Sequence, residues 1–229
     1  MQIPVINSSK TLSDDDVAHM VEACAAQLLE CAAAWGIPPL AAAFYRTAAT
    51  LPAEDVYICE IVDDFDQPGA LGYHSDDVRP FIRVLAQGPA TSITLSHEFL
   101  ETLVDPTCDQ WRPRGDGTQV ALEVCDPVEG DSYGASVSLF GGPSRAVQLS
   151  NYVLPAWFDP GATGQVDRMG TVGKPFAMSP GGYMVVLDAQ GNEQDVFARY
   201  GGLAGAATAG KRLATRNSRL IRRLRGRHV

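Results

Sequence analysis

The part of the sequence best suited to chemistry is the segment HEFLE at residues 97–101, followed by a second acidic group at residues 123–126. Residues four apart lie on the same face of a helix, so His97 and Glu101 can direct a ring nitrogen and a carboxylate oxygen to one cation. Glu98 is rotated about a quarter turn away from them. It can therefore take a proton from a water at an open coordination position without being a ligand. The pattern predicts a metal site that activates water.

This segment resembles the zincin metallopeptidases, whose signature is H-E-x-x-H on a helix with the glutamate as general base. In the thermolysin-like branch of that family, a glutamate further along the chain supplies the third metal ligand from an E-x-x-x-D stretch. Glu123 follows Glu101 by 22 residues, and the resemblance therefore implies His97, Glu101 and Glu123 as ligands of Zn²⁺. It also implies Glu98 as the catalytic base and a peptide or protein as the substrate.

The sequence departs from the family pattern at two points, and both concern the metal ligands. Glu101 stands where the family has its second histidine, so two carboxylates would neutralise Zn²⁺ and leave its water less acidic than in a site with one carboxylate. Mn²⁺ and Mg²⁺ are therefore alternatives to Zn²⁺. The later acids have the spacing E-x-x-D, which leaves Asp126 and then Glu129 as alternatives to Glu123. If Glu123 is the ligand, Asp126 is available to accept a hydrogen bond from the second ring nitrogen of His97.

Other roles follow from the same resemblance. In zincins an edge strand above the motif helix pairs with extended substrate, and residues 81–86 are expected in that position. Tyr152 is the expected second catalytic residue, stabilising an oxyanion, with Tyr133 as its alternative and core packing as the simpler interpretation of both. His74 is expected in a loop, with its ring paired to nearby acids rather than directed to the metal site.

The chain is also similar to uncharacterised proteins of tailed-phage genomes. The similarity is carried by the HExxE helix and by an SN-x-V-x-P-x-WFDP stretch, here at residues 150–160, and it covers roughly residues 55–160. It implies the host cytoplasm or the virion as the location of the protein, and a part in virion assembly.

Two helices and several strands are expected to position these side chains. Ser13 is a good N-cap, acidic residues follow it, and apolar residues at helical spacing run to Gly36, which predicts the first helix. The motif helix is expected to begin with Thr91 or Ser92 as its cap and to stop before Pro106. Strands are expected at residues 40–46, 56–62, 81–86 and 146–149, and a hairpin at residues 183–187 and 195–200, whereas residues 120–125 fit either a helix or a strand. These elements predict an α+β, zincin-like fold: a mixed β-sheet packed against the N-terminal helix and the metal-motif helix, with a C-terminal β-hairpin.

Charge divides the chain into two parts. Eight of the 18 basic residues lie within residues 211–227, where no acidic residue occurs, so residues 1–210 hold ten basic and 27 acidic residues, a formal charge of −17. We expect a metal-binding domain at residues 1–200, a flexible Gly/Ala linker at 201–210 and a basic amphipathic tail at 211–229. The tail suits nucleic acid or an acidic protein surface, with a membrane surface as a further alternative.

Composition and motifs argue against several classes of protein. No apolar run reaches the roughly 20 residues of a membrane-spanning helix, and the first residues lack the basic-then-apolar order of a secretory signal. A cytoplasmic protein without a transmembrane segment is expected. Five cysteines without a CxxC pair fit buried, reduced thiols. No phosphate-binding glycine loop, dinucleotide fingerprint or G-x-S-x-G elbow occurs, which argues against nucleotide enzymes and serine hydrolases.

Two functions from different classes fit these observations. The first is a metal-dependent hydrolase, most directly a peptidase, in which a metal held by His97, Glu101 and Glu123 activates water with Glu98 as general base. The second is a non-catalytic protein of a phage particle that keeps the metal as a structural staple. In that case the basic tail contacts nucleic acid or an acidic protein surface.

Overall fold

The N-terminal half of the chain folds into a mixed five-stranded β-sheet. A computed structural model describes residues 2–51, 57–64, 70–75 and 81–198. The strands of this sheet are β1 (Gln2–Asn7), β2 (Ala41–Tyr45), β3 (Ile58–Val62), β4 (Gly72–Ser75) and β5 (Phe81–Leu85). Their order is β2-β1-β3-β5-β4, with β2, β1, β3 and β5 parallel and β4 antiparallel to β5. The strand expected at the edge, β5, is therefore an inner strand, and the edge position belongs to β4.

The C-terminal half contributes two antiparallel sheets. A four-stranded sheet has the order β11-β10-β7-β6, and β8 pairs with β9. The strands are β6 (Trp111–Pro113), β7 (Gln119–Ala121), β8 (Ser132–Val137), β9 (Arg145–Ser150), β10 (Tyr183–Leu187) and β11 (Glu193–Phe197). The expected hairpin is β10 and β11, but its second strand begins two residues earlier than predicted. The Asp188 carboxylate accepts the backbone N–H groups of Gln190 and Asn192, which closes a short turn before Glu193.

Helix α1 (Asp14–Trp35) is bounded as the sequence predicts. The Ser13 side chain accepts the backbone N–H of Asp16 at the start of the helix, and Gly36 ends it with a left-handed φ of 63°. Among the described residues, α1 is the one helix long and apolar enough to cross a membrane by length and composition. Core helices pass the same test, and ten residues of α1 are buried in the protein, where the helix packs against β2 and the second helix.

Helix α2 (Thr91–Val104) is the metal-motif helix, and it lies in the core of the protein. Every residue in it except Ile93 is buried, between α1, β9, β4 and β5. The helix ends before Asp105 and Pro106, as predicted. The expected side-chain cap is wrong, because the N-cap is Ala90 and Thr91 Oγ accepts the backbone N–H of Gln87 at 2.7 Å instead.

These elements make the protein an α+β fold, as predicted. The five cysteines are all buried and form no disulfide. The expected linker at residues 201–210 and the basic tail at residues 211–229 lie outside the described residues.

Candidate metal centre

Hydrogen bonds from two directions hold α2 in place. The Ser150 backbone N–H at the end of β9 donates to Ser96 Oγ at 2.8 Å, one residue before His97. Beyond the helix, the Asp105 carboxylate accepts the backbone N–H groups of Asp109 at 3.3 Å and Gln110 at 3.0 Å. Helix α2 is therefore anchored to β9 next to His97, and the chain is held in a turn directly after the helix.

Two carboxylates approach the same nitrogen of His97. His97 Nε2 lies 3.1 Å from Glu101 Oε1 and 3.4 Å from Asp126 Oδ1, and all three residues are at least 97% buried. Neither contact has hydrogen-bond geometry. With metal–ligand distances of 2.0–2.2 Å, the ligand atoms of a tetrahedral site lie about 3.3–3.6 Å from one another. We call these three residues the His97 cluster. Each carboxylate thus lies about as far from Nε2 as two ligands of one cation lie from each other, whereas the group whose donor atoms all lie within 4.8 Å of one another is His97, Glu101 and Cys125.

The charges in the His97 cluster depend on one another. Burial by itself lowers the pKa of His97, but the Glu101 and Asp126 carboxylates raise it well above its usual range. Burial raises the pKa of Glu101, but the neighbouring His97 ring lowers it. The pKa of that carboxyl is lowered overall. In the metal-free protein a proton on the imidazole thus offsets the two carboxylates, and a cation would take the place of that proton.

The structure brings Asp126 to His97, whereas the spacing argument favours Glu123. Within the described chain no Glu123 oxygen comes within 4.0 Å of a His97 ring nitrogen, and the same holds for Glu129. Asp126 opens a short 3-10 turn, and the backbone N–H of Cys125 just before it donates to Glu101 Oε1 at 3.4 Å. The turn is thereby joined to the motif helix. Asp126 also faces Nε2 of His97, so it does not take the orienting position at Nδ1 that the sequence left open.

A close backbone approach fixes the turn that carries Asp126. The Ser179 backbone N–H donates to the Pro127 carbonyl at 3.0 Å. A Cβ on Gly182 would collide with that same carbonyl oxygen, and a Cβ on Gly130 would collide with the carbonyl oxygen of Pro180. The segment before β10 therefore supports the third acid of the His97 cluster, a connection that the residue spacing does not indicate.

Glu98 points to a different partner. Its Oε2 accepts a hydrogen bond from His74 Nδ1 at 3.0 Å, and both side chains are buried. Glu98 Oε1 has no hydrogen-bond partner in the described part of the chain. Burial raises the pKa of Glu98, an effect that the His74 hydrogen bond partly offsets. Although burial lowers the pKa of His74, Cys108 and Glu98 together raise it well above its usual range.

His74 lies at a position in the fold that differs from the prediction. It lies in β4 and not in a loop, with 6% of its surface exposed. A signal was present in the glycine that precedes it, Gly72, because a glycine inside a strand often marks a close backbone approach. A Cβ at Gly72 would lie 2.5 Å from Thr94 Cγ2 and 2.7 Å from Glu98 Oε1. The missing side chain lets the edge strand lie directly against α2.

The two tyrosines considered as catalytic residues lie beside α1. Tyr133 accepts a hydrogen bond from Gln27 Nε2 at 3.0 Å, and its ring packs under the Arg168 guanidinium. Tyr152 is 1% exposed, and burial raises its pKa, with further contributions from Cys31 and Glu30. These neighbours belong to the core around α1. Among the described residues no hydrogen bond joins either tyrosine to the His97 cluster, and a catalytic role for Tyr152 stays a prediction.

Cys125 adds a fourth donor near the His97 cluster. One donor atom each from His97, Glu101 and Cys125 lies within 4.8 Å of the others, and the same is true of His74, Glu98 and Glu101. The Cys125 thiol contacts the carbonyl oxygen of His97 at 3.8 Å, and burial raises its pKa well above the usual value.

Comparison with known proteins adds no family to this description. No family model, no curated protein and no solved structure matches the chain. The function must therefore be argued from the site itself.

Proposed function

We propose that the protein is a metal-dependent hydrolase, with a peptide or protein as its substrate. The observation that carries this proposal is the approach of two buried carboxylates to one nitrogen of His97 without hydrogen-bond geometry. Two buried carboxylates beside one imidazole form a site of negative charge that a divalent cation can neutralise. The sheet order supports the zincin resemblance, since an antiparallel edge strand lies beside the motif helix.

In this proposal His97, Glu101 and Asp126 hold the cation. We prefer Asp126 to Glu123 because of its short distance to His97. One neutral imidazole and two carboxylates balance a divalent charge, and Zn²⁺ accepts such N and O donors, with Mn²⁺ and Mg²⁺ as alternatives. When bound, the cation would polarise the scissile carbonyl and lower the pKa of a water.

Glu98 is the proposed general base. It neighbours the His97 cluster on the helix, and its Oε1 is available to accept a proton. The pKa of Glu98 is raised and so lies closer to neutral pH than that of an ordinary glutamate. A general base is most effective when its pKa is near the working pH. A glutamate in this role takes the proton of the attacking water and can return it to the leaving amine.

A second candidate function is supported by Cys125. The Cys125 sulfur lies close to His97 and Glu101. Deprotonated by a bound cation, it could complete a closed coordination shell, and closed shells are typical of structural metal sites. In that case the metal stabilises the fold and the protein is not an enzyme. Its proposed role is then in the assembly of a phage particle, with a basic tail that binds nucleic acid or an acidic protein surface.

Glu98→Gln separates the two functions. We expect the purified wild type to contain one equivalent of zinc by elemental analysis and to cleave members of a quenched-fluorescent peptide library. Glu98→Gln should keep the metal and lose hydrolysis by at least about 100-fold, the scale of a general base. Equal hydrolysis by both proteins would overturn the role of Glu98, and a wild type that stays empty after zinc is added would overturn the metal site.

A further inference from the structure

The hydrogen bond between His74 and Glu98 gives the proposed base one anchored and one available oxygen. His74 Nδ1 lies 3.0 Å from Glu98 Oε2, and the two side chains are 7% and 1% exposed. Glu98 Oε1 makes no hydrogen bond within the described chain. An oxygen of Glu98 also lies within 4.8 Å of an oxygen of Glu101. A single water molecule can bridge two groups at this separation.

We propose that His74 is a positioning residue for Glu98. By holding Oε2, the imidazole fixes the rotation of the carboxylate and leaves Oε1, which lies beside Gly72 of β4, without a hydrogen bond and able to accept a proton. A glutamate side chain has three rotatable bonds, so an anchor at its end removes conformational freedom before the reaction begins. This inference rests on the proposed function, because it assumes that Glu98 is the base.

The edge strand is built to allow this contact. His74 can reach α2 because Gly72, two residues earlier, has no side chain to separate β4 from Thr94 and Glu98. Residues two apart on a strand point to the same side, so Gly72 and His74 face the helix together. The strand therefore both approaches the helix and supplies the hydrogen-bond donor.

Hydrogen-bond geometry argues against a second cation between these two residues. The His74–Glu98 contact meets the geometry of a hydrogen bond, whereas the contacts of His97 Nε2 do not. A cation between His74 and Glu98 would also occupy the oxygens that a general base needs.

The test compares His74→Leu with His74→Asn in the full-length, zinc-loaded protein. Leucine and asparagine have nearly the same shape, but asparagine keeps an N–H donor close to the position of Nδ1. We expect kcat for a cleavable quenched-fluorescent peptide to fall about 10–100-fold in His74→Leu, the range typical of an orienting partner, with KM and zinc content unchanged. His74→Asn should recover most of the lost kcat.

A matched control comes from the other described buried histidine outside the His97 cluster. His19 is as buried as His74, but its Nδ1 bonds the Asp15 carbonyl within α1 at 2.7 Å. His19→Leu should therefore change stability without changing kcat. If His19→Leu lowers kcat as much as His74→Leu does, the effect is structural and the inference is wrong.

A readout without activity comes from proton NMR of the metal-free protein. The Nδ1–H of His74 should give a low-field imidazole resonance that disappears in His74→Leu and shifts in Glu98→Gln. Absence of that resonance overturns the inference whatever the enzyme does. If the resonance is present but the zinc-loaded wild type hydrolyses nothing, the proposed function fails and the catalytic meaning of the contact fails with it. Two zinc equivalents in the wild type, reduced to one in both His74 variants, would make His74 a ligand and overturn the inference as well.

Discussion

Two buried histidine–carboxylate contacts lie side by side in this protein, and they differ in kind. In the His97 cluster, one ring nitrogen faces two carboxylates at 3.1 and 3.4 Å with no hydrogen-bond geometry. In the pair of His74 and Glu98, one nitrogen faces one carboxylate oxygen at 3.0 Å with good geometry. The first arrangement is the kind expected around a bound cation. The second is an ordinary hydrogen bond, with a proton between the two atoms. Distance alone does not separate these cases, whereas direction and the number of acceptors do.

Under the proposed function, the two contacts have separate roles. Groups that hold a cation must turn their lone pairs to a common point, and a group that moves a proton must keep one oxygen unoccupied. The candidates for the first role are His97 and Glu101 on α2 with Asp126 from the 3-10 turn, and the candidate for the second is Glu98 on α2. The following predictions test this division, from the largest expected effect to the smallest.

The strongest test is removal of a donor from the His97 cluster. Glu101→Gln and Asp126→Asn should each lower zinc affinity by at least about 100-fold, more than loss of an orienting partner does. Glu123→Gln is the matched control, because no Glu123 oxygen lies within 4.0 Å of the His97 ring nitrogens. Competition with a fluorescent zinc chelator measures all three affinities. A larger loss in Glu123→Gln than in Asp126→Asn would return the third position to Glu123.

Zinc affinity should rise with pH. The pKa of His97 in the metal-free protein is raised well above its usual value, so at neutral pH a proton occupies the nitrogen that the cation needs. Affinity should therefore increase up to about tenfold per pH unit, until the pH passes the raised pKa. Calorimetry in buffers of different ionisation enthalpy would measure the proton released on binding. A pH-independent affinity between pH 6 and 8 would contradict the coupling.

Gly72→Ala should destabilise the fold by about 1–3 kcal/mol, as overpacking does, because its Cβ would meet Thr94 and Glu98. It should also lower kcat by displacing His74 from Glu98. Gly173→Ala is the control, since a Cβ there meets nothing within 4 Å. Urea unfolding of the three metal-free proteins measures the effect. Equal midpoints for Gly72→Ala and the wild type would show that β4 can move away from α2 without cost.

The smallest effect is expected at Asp63, a carboxylate with several donors and no histidine. Hydrogen bonds from Ser9, the Lys10 backbone N–H and Thr11 lower its pKa to about 2. The folded-state pKa is below the unfolded value of 3.8, so its contribution to stability is complete above that value and is lost as the pH falls toward 2. Asp63→Asn should therefore lower the urea midpoint at pH 5 and make little difference at pH 2. A difference that grows toward low pH would refute this sign.

The fold could be predicted where local signals were strong. Helix α1 follows from Ser13, the apolar spacing and Gly36, and α2 follows from its apolar content and from Pro106. Strand β1 was not predicted, and β4 was mistaken for a loop segment. A short strand is defined mainly by its neighbours: β1 pairs with β2 and β3, which follow much later in the chain.

The sequence alone determined the chemistry that α2 can offer. A histidine and a glutamate four residues apart must share a face of a helix, and the apolar residues around them require that face to be buried. Only the tertiary structure decided which partners complete the site. Asp126 reaches His97 through a turn held against the segment before β10, and His74 reaches Glu98 because Gly72 lets the edge strand approach. Both contacts join segments far apart in the chain, and residue spacing carries no information about such distances once the chain has turned back on itself.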